Sequence, residues 1–256
     1  MNKTADKFSE LIDIMYKLRE ECPWDKEQTP ESLRQFLLEE TYEVLETIDL
    51  QNWDALAREL GDLLLQIVFQ AVIGEEEKRF TLYDIISHIN NKMIERHPHV
   101  YSDVSVSGSH DVARNWEHIK VRSEKRRSLL SGVHKEAPAL LRAQRLQEKA
   151  SHVGFDWERC DDVIAKIDEE LDELKYAISE NINKNIAEEL GDFLFSVVNL
   201  SRFLGMVAED SLRKTNEKFI DRFQKIESHY NQDYDLMKSA TLEELDEIWN
   251  KAKKAK

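Results

Sequence analysis

Two acidic clusters in the second half of the chain are the groups best suited to chemistry. The first is Glu169-Glu170-Leu171-Asp172-Glu173, and the second is Glu189-Leu190-Gly191-Asp192. Residues three apart lie on one side of a helix, so two successive helices would bring carboxylates from facing surfaces together. This arrangement of oxygen ligands predicts a site for a hard cation.

The position of Glu170 on its helix strengthens this prediction. On a wheel of about 100° per residue, Glu170 falls within the apolar arc and Glu173 lies at its edge, whereas Glu169 points roughly the opposite way. The arc is formed by Val163, Ile167, Leu171, Leu174 and Ile178. A carboxylate on the buried side is costly unless it is paired or coordinates a metal. Glu170 is therefore predicted to be a ligand.

The same acidic pattern occurs in the first half of the chain. Each of its four acidic positions precedes its counterpart by 130 residues, and they are Glu40, Glu43, Glu59 and Asp62. Glu40 again falls within an apolar arc, formed by Leu33, Leu37, Val44 and Ile48. One ExxE pattern is ordinarily a solvated helix face, but burial on the wheel together with exact repetition favours metal binding.

The ligand types indicate which metal would bind. Di-iron bundles place a histidine three residues after a glutamate, and zinc sites favour His or Cys. The candidate ligands here are Glu170, Glu173, Glu189 and Asp192, with their four counterparts, and all are carboxylates. Oxygen-only coordination suits Mg²⁺ or Mn²⁺, and Mg²⁺ commonly shares its shell with substrate phosphates. Phosphoryl chemistry follows from this choice of metal.

Two further motifs are duplicated in the same order. Residues 216–222 resemble residues 90–96, and Trp249 with Lys253 resembles Trp116 with Lys120. Lys218 and Arg222 are four apart on one helix face, where they could neutralise phosphate oxygens. Trp249 could stack on a base. The alternatives are surface ion pairs for the two cations and a packing role for Trp249; Trp24 and Trp157 are interpreted as packing residues.

Composition limits the fold and the partners. The 256 residues include seven Gly and four Pro, and the helical spacing of apolar residues predicts an all-α protein. A net charge of −15 disfavours nucleic acid, although bound cations would still admit a small phosphate ligand. The sequence contains no run of about twenty apolar residues, so no membrane span is predicted. The polar N-terminus predicts no signal peptide, and two isolated cysteines fit a reducing cytoplasm.

The chain order predicts two similar domains. Helices are expected over residues 4–21, 30–50, 53–73 and 82–97, and a further helix is expected to hold Trp116 and Lys120. The second half repeats the order, with residues 140–150 matching the first helix. The predicted domains are 1–130 and 139–256, joined by a linker at 131–138.

Each acidic pattern consists of EExxE, a spacer and ELGD, and the second is followed by NEKFxxRF. This combination resembles the MazG family of nucleoside triphosphate pyrophosphohydrolases. The resemblance covers the whole chain, in the arrangement of two tandem MazG domains. The segment His152-Val153-Gly154-Phe155-Asp156-Trp157 is also similar to the second domain of such proteins.

The resemblance implies an all-α fold of helical bundles completed by dimerisation. It implies Mg²⁺-dependent house-cleaning hydrolysis of nucleoside triphosphates to monophosphate and diphosphate, with broad base tolerance. By position, Lys218 and Arg222 would contact phosphates and Trp249 would lie near the nucleotide. The metal ligands and catalytic group would be Glu170, Glu173, Glu189 and Asp192. The C-terminal domain is expected to be the main catalytic one.

Two other functions stay open at this point. The first is a regulatory helical protein that binds nucleotide or a protein partner without chemistry. The second is a helical dUTPase-like enzyme, which would strongly prefer one base. The sequence shows no polar constellation that would read a base, and the duplicated carboxylates favour the pyrophosphohydrolase.

Overall fold

A computed structural model describes residues 3–102, 108, 128–181 and 183–254. These residues contain helices and no strand, so the predicted all-α class is confirmed for the described part of the chain. The chain divides into two compact units, Met1–Ser109 and His110–Lys256. The predicted linker at 131–138 lies in turns within the second unit, and the domain limits remain a prediction.

The first unit is built on a pair of long helices. Its elements are α1 (Lys3–Glu21), α2 (Pro23–Glu27), α3 (Arg34–Asp49), α4 (Trp53–Glu76), α5 (Leu82–Arg96) and α6 (Pro98–Tyr101). Helices α3 and α4 pack against each other, and α1 packs on α4. Thr81 and Asp84 form a reciprocal capping box at the start of α5, which satisfies two backbone donors there.

The core of the first unit lies between α1, α3 and α4. Its buried members are Met15, Leu33, Val68, Phe69, Val72 and Ile73. Phe36 and Leu65 pack against this cluster as partly buried residues. Each of these apolar positions faces inward at helical spacing, and Gln66 on α4 is buried as well.

The second unit repeats this arrangement. Its elements are α7 (Ala139–Ser151), α8 (Cys160–Glu180), α9 (Asn183–Phe203), α10 (Ala208–His229), α11 (Tyr234–Ser239) and α12 (Leu242–Lys254). Helices α8 and α9 form the central pair and α7 packs on α9, as α1 packs on α4. Buried Gln144 anchors α7 by donating to the carbonyl of Met206 and accepting from the amide of Ala208. The predicted match between α1 and residues 140–150 is confirmed.

Two predicted helix limits are wrong. Helix α3 begins at Arg34 rather than at Pro30, because residues 30–33 form a turn in which the Thr29 hydroxyl accepts from the amide of Ser32. Helix α4 continues past Gly74 to Glu76. The helix expected to hold Trp116 and Lys120 lies outside the described residues.

Gly74 does not end helix α4; it has a role in packing. A Cβ atom at this position would lie 2.5 Å from Cε2 of Phe80, so the ring of Phe80 covers the helix where a side chain would otherwise stand. Glycine therefore permits a close approach here.

Within the described residues, no single helix has the length and apolar character needed to cross a membrane. The pair Asn183–Phe203 and Ala208–His229 meets that criterion only when taken together, across a bend of 103°.

Candidate functional site

Three predicted ligands of the second unit converge between its two central helices. Glu170 and Glu173 lie on α8, and Glu189 lies on α9. Each offers a carboxylate oxygen, and these oxygens all lie within 4.8 Å of one another. The three-residue spacing on α8 places two of the groups on one helix face, and the packing of α8 on α9 supplies the third.

The helical wheel correctly predicted which carboxylate is buried. Glu170 is 7% exposed, whereas the side chain of Glu169 is 56% exposed. Desolvation raises the pKa of half-buried Glu189, and the charges of Glu173, Asp192 and Glu170 raise it further. Asp192 is exposed and is not one of the three grouped residues, but its charge acts on Glu189. Negative charge is therefore concentrated at this point.

A lysine that the sequence analysis did not single out is paired with the carboxylates. The Lys166 ammonium donates to Oε1 of Glu169 and lies 2.8 Å from Oε1 of Glu170. These hydrogen bonds, to Glu169 first and Glu170 second, raise the pKa of Lys166. Lys166 precedes Glu170 by one helical turn, so its charge offsets that of the buried carboxylate.

The first unit holds a corresponding group. Carboxylate oxygens of Glu40, Glu43 and Glu59 also lie within 4.8 Å of one another. Desolvation raises the pKa of Glu40, followed by the charges of Asp62, Glu43 and Glu59. The residue one turn before Glu40 is Phe36, where the second unit has Lys166.

A cavity of about 650 Å³ adjoins the carboxylates of the second unit. We call it the aromatic cavity, because Phe155, Trp157 and Phe195 line it together with Glu170, Asp192 and Lys166. Phe155 is 83% exposed and Trp157 is 45% exposed, so two aromatic faces are open to a ligand. Trp157 is more than half buried as well as lining the cavity, so its packing role stays a prediction. Trp24 is also about half exposed, with its ring edge against Phe36.

The wall of the aromatic cavity carries a polar group that the sequence analysis missed. Asp156, Asn199 and Arg202 line it, and Arg202 donates hydrogen bonds to each of the other two. The positions 130 residues before Asn199 and Arg202 are Phe69 and Val72, which are 3% and 2% exposed in the first core. The same comparison that found the shared carboxylates would have found this difference.

Glu173 and Glu189 of the carboxylate group line a second cavity of about 630 Å³. We call it the acidic cavity. Among the described residues its lining includes five acidic side chains and no basic one, and the acidic ones are Glu169, Asp172, Glu173, Glu180 and Glu189. An anionic ligand entering here would be repelled unless cations accompany it.

The predicted phosphate and base contacts lie together on α10 and α12. The guanidinium carbon of Arg222 is 5.4 Å from the ring centroid of Trp249, and the rings of Phe219 and Trp249 are 5.1 Å apart. Lys218 is exposed on the same helix as Arg222. None of these three residues lines either cavity, so their roles stay predictions. Arg96, the counterpart of Arg222, is 7% exposed.

Comparison with known proteins agrees with the paired architecture. The MazG nucleotide pyrophosphohydrolase domain matches residues 28–101 and 160–226, which together make up more than half of the chain. Each matched segment contains one complete set of acidic residues. The chain belongs to the MazG family.

Full-length relatives support this assignment. The nucleoside triphosphate pyrophosphohydrolase/pyrophosphatase MazG of Thermotoga maritima is 46% identical over 99% of this chain and 98% of its own. The nucleoside triphosphate pyrophosphohydrolase of Escherichia coli K12 is 42% identical over 97% and 98%. An uncharacterized Bacillus subtilis protein, YabN, is 44% identical over 96% of this chain and 52% of its own. The MazG match therefore extends over both units.

Proposed function

We propose that this protein is a base-tolerant nucleoside triphosphate pyrophosphohydrolase that uses Mg²⁺ in the cytoplasm. It hydrolyses a nucleoside triphosphate to the monophosphate and diphosphate. One observation carries this proposal: in the second unit, grouped carboxylates border a cavity with open aromatic faces. The whole-length similarity to proteins named for this activity supports it.

The residues of the second unit fit a hard divalent cation. Negative charge is gathered at one place in this unit. Carboxylate oxygens of Glu170, Glu173 and Glu189 lie within 4.8 Å of one another, Glu170 is 7% exposed, and the pKa of Glu189 is raised. Glu170, Glu173, Glu189 and Asp192 would hold Mg²⁺, and Mn²⁺ would be accepted by the same oxygen ligands. Bound Mg²⁺ supplies polarisation of a phosphoryl oxygen and a lowered pKa for a water.

The protein's own cations and cavities orient the substrate. The base enters the aromatic cavity, where Phe155 and Trp157 offer stacking surfaces that accept any base. Lys166 lies where the cavity meets Glu170, so its ammonium can leave the carboxylate and meet a phosphate oxygen when the charge at Glu170 is otherwise satisfied. Lys218 and Arg222 contact the remaining phosphates, and Trp249 lies near the nucleotide.

The first unit binds a metal or nucleotide with little turnover. Its carboxylates are grouped as in the second unit, but Phe36, Phe69 and Val72 stand where the second unit has Lys166, Asn199 and Arg202. Phe69 and Val72 belong to the hydrophobic core and Phe36 packs against it. Core side chains of the first unit thus occupy positions that line the aromatic cavity in the second unit, and we expect little turnover there for this reason.

We also propose that two copies of the chain associate. Leu190, Leu194 and Val197 are each more than one third exposed on α9, next to the carboxylates. Apolar surface of this kind is typical of an interface. Nucleic acid and membranes are not proposed as partners.

Diphosphate release from the four nucleoside triphosphates tests the activity. We expect release from every nucleotide with Mg²⁺, with kcat/KM values within about tenfold of one another, and loss of release after chelation. The monophosphate should appear in equal amount. A strong preference for one base would favour the dUTPase-like alternative. Binding of nucleotides without diphosphate release would favour the regulatory protein.

A further inference from the structure

A side-chain network forms part of the wall of the aromatic cavity. Arg202 donates from Nη1 to Oδ2 of Asp156 at 2.9 Å and from Nη2 to Oδ1 of the same carboxylate. The Arg202 side chain is 11% exposed and that of Asp156 is 27% exposed. A fork of this type fixes the plane of the guanidinium. Arg202 is therefore held in one orientation.

Arg202 in turn orients Asn199. Its Nε and Nη2 donate to Oδ1 of Asn199 at 3.0 and 2.9 Å. Because a guanidinium only donates, the amide must present its oxygen to Arg202 and its nitrogen elsewhere. Nδ2 of Asn199 has no acceptor among the described residues, and Asn199 lines the cavity. Nδ2 is therefore the unengaged donor of a residue that lines the cavity.

The central helix of the first unit has apolar side chains at the positions of Asn199 and Arg202. In the first unit the two corresponding positions on α4 are Phe69 and Val72, which pack in the core. A buried ion pair is often no more stabilising than apolar residues of similar volume. The fold accepts apolar side chains at these positions, so the polar set in the second unit has another role.

We propose that Asn199 donates a hydrogen bond from Nδ2 to an acceptor of the nucleobase, and that Arg202 and Asp156 are positioning residues for it. This proposal rests on the function proposed above and concerns the same site. Purines present ring nitrogens and pyrimidines present carbonyl oxygens as acceptors. A single donor therefore anchors every base without selecting one, and Phe155 and Trp157 supply stacking at the cavity rim.

Substrate analogues test the contact in the unaltered protein. The set is ATP with its 1-deaza, 3-deaza and 7-deaza forms, each of which lacks one ring acceptor. One analogue should have a kcat/KM about tenfold below that of ATP, because one hydrogen bond is lost. Equal kcat/KM values for ATP and all three analogues would overturn the proposal.

The variant Asn199→Asp identifies the donor. It keeps an oxygen for Arg202 but replaces the Nδ2 donor with a second acceptor. We expect KM for ATP to rise about tenfold with little change in kcat, and the difference between ATP and the sensitive analogue to disappear. Ribose 5-triphosphate, which has no base, is the control for the added charge, and its kcat/KM should change far less. Equal losses for ATP and ribose 5-triphosphate would overturn the proposal.

Arg202→Met tests the positioning role. It removes both sets of hydrogen bonds, so KM for ATP should rise as in Asn199→Asp while kcat and the turnover of ribose 5-triphosphate stay close to wild type. A loss confined to kcat would refute this role. Failure of the proposed function is a separate result, since it would appear as absence of diphosphate release from ATP by the wild-type protein.

Discussion

Replacing a phenylalanine with alanine should destabilise the first unit at position 69 but leave the stability of the second unit almost unchanged at position 155. Phe69 is 3% exposed in the apolar core of the first unit, whereas Phe155 is 83% exposed at the rim of the aromatic cavity. Phe69→Ala removes a fully buried ring and leaves a void, which costs about 3–5 kcal/mol in unfolding free energy. Phe155→Ala removes a ring that is already in water, so its cost should stay within about 0.5 kcal/mol.

Hydrogen exchange by mass spectrometry is the suitable assay, because two units need not unfold together and a single midpoint would mix them. Peptides from α3 and α4 should lose protection in Phe69→Ala, while peptides from α8 and α9 keep it. Phe155→Ala should leave protection unchanged and raise KM for ATP. A cost below about 1 kcal/mol for Phe69→Ala would refute the filled core of the first unit, and with it the reason for the low turnover that we propose there.

Two other substitutions give matched predictions. Glu189→Gln should raise the thermal midpoint of the metal-free protein and abolish the increase caused by Mg²⁺, because it removes one of several mutually repelling carboxylates. The pKa of Glu189 is raised above its ordinary value of 4.5, so the folded state holds this proton more tightly than the unfolded state. The stability of the metal-free protein should therefore fall as pH rises from about 4.5 through the raised pKa, and it should fall less in the variant. An unchanged pH profile in Glu189→Gln would contradict this. Gly74→Ala should destabilise the first unit by about 1–3 kcal/mol, because its Cβ meets the Phe80 ring. Gly61→Ala should be neutral or stabilising, because no described residue lies within 4 Å of its Cβ. Equal unfolding midpoints for the two variants would contradict the packing role.

Local periodicity explains what the sequence could predict. The burial of Glu170, the outward side of Glu169 and the grouping of the acidic residues follow from helical spacing and from the pairing of two successive helices. The repeat also predicted that α7 packs as α1 does. These features depend on neighbours in sequence or on a copied pattern, which are visible without coordinates.

The remainder depends on contacts between distant residues. The hydrogen bond from Arg202 to Asp156 joins residues that are 46 positions apart. Gly74 was expected to end a helix, but it permits the close packing of the Phe80 ring. The place of Trp157 in a cavity wall also depends on distant residues, and the size of its side chain alone does not predict it. Comparing the two halves for differences, rather than only for identities, would have revealed Lys166, Asn199 and Arg202.

The rates of diphosphate release by Asp192→Asn and Asp62→Asn, measured with Mg²⁺ and ATP, test the central claim most directly. Both changes remove one negative charge at corresponding positions of the two acidic sets. Asp192→Asn should lower kcat about 100-fold or more, because it removes a proposed ligand from the site where charge develops, and Asp62→Asn should change it less than about threefold. A dominant loss from Asp62→Asn, or wild-type turnover in Asp192→Asn, would contradict the assignment of catalysis to the second unit.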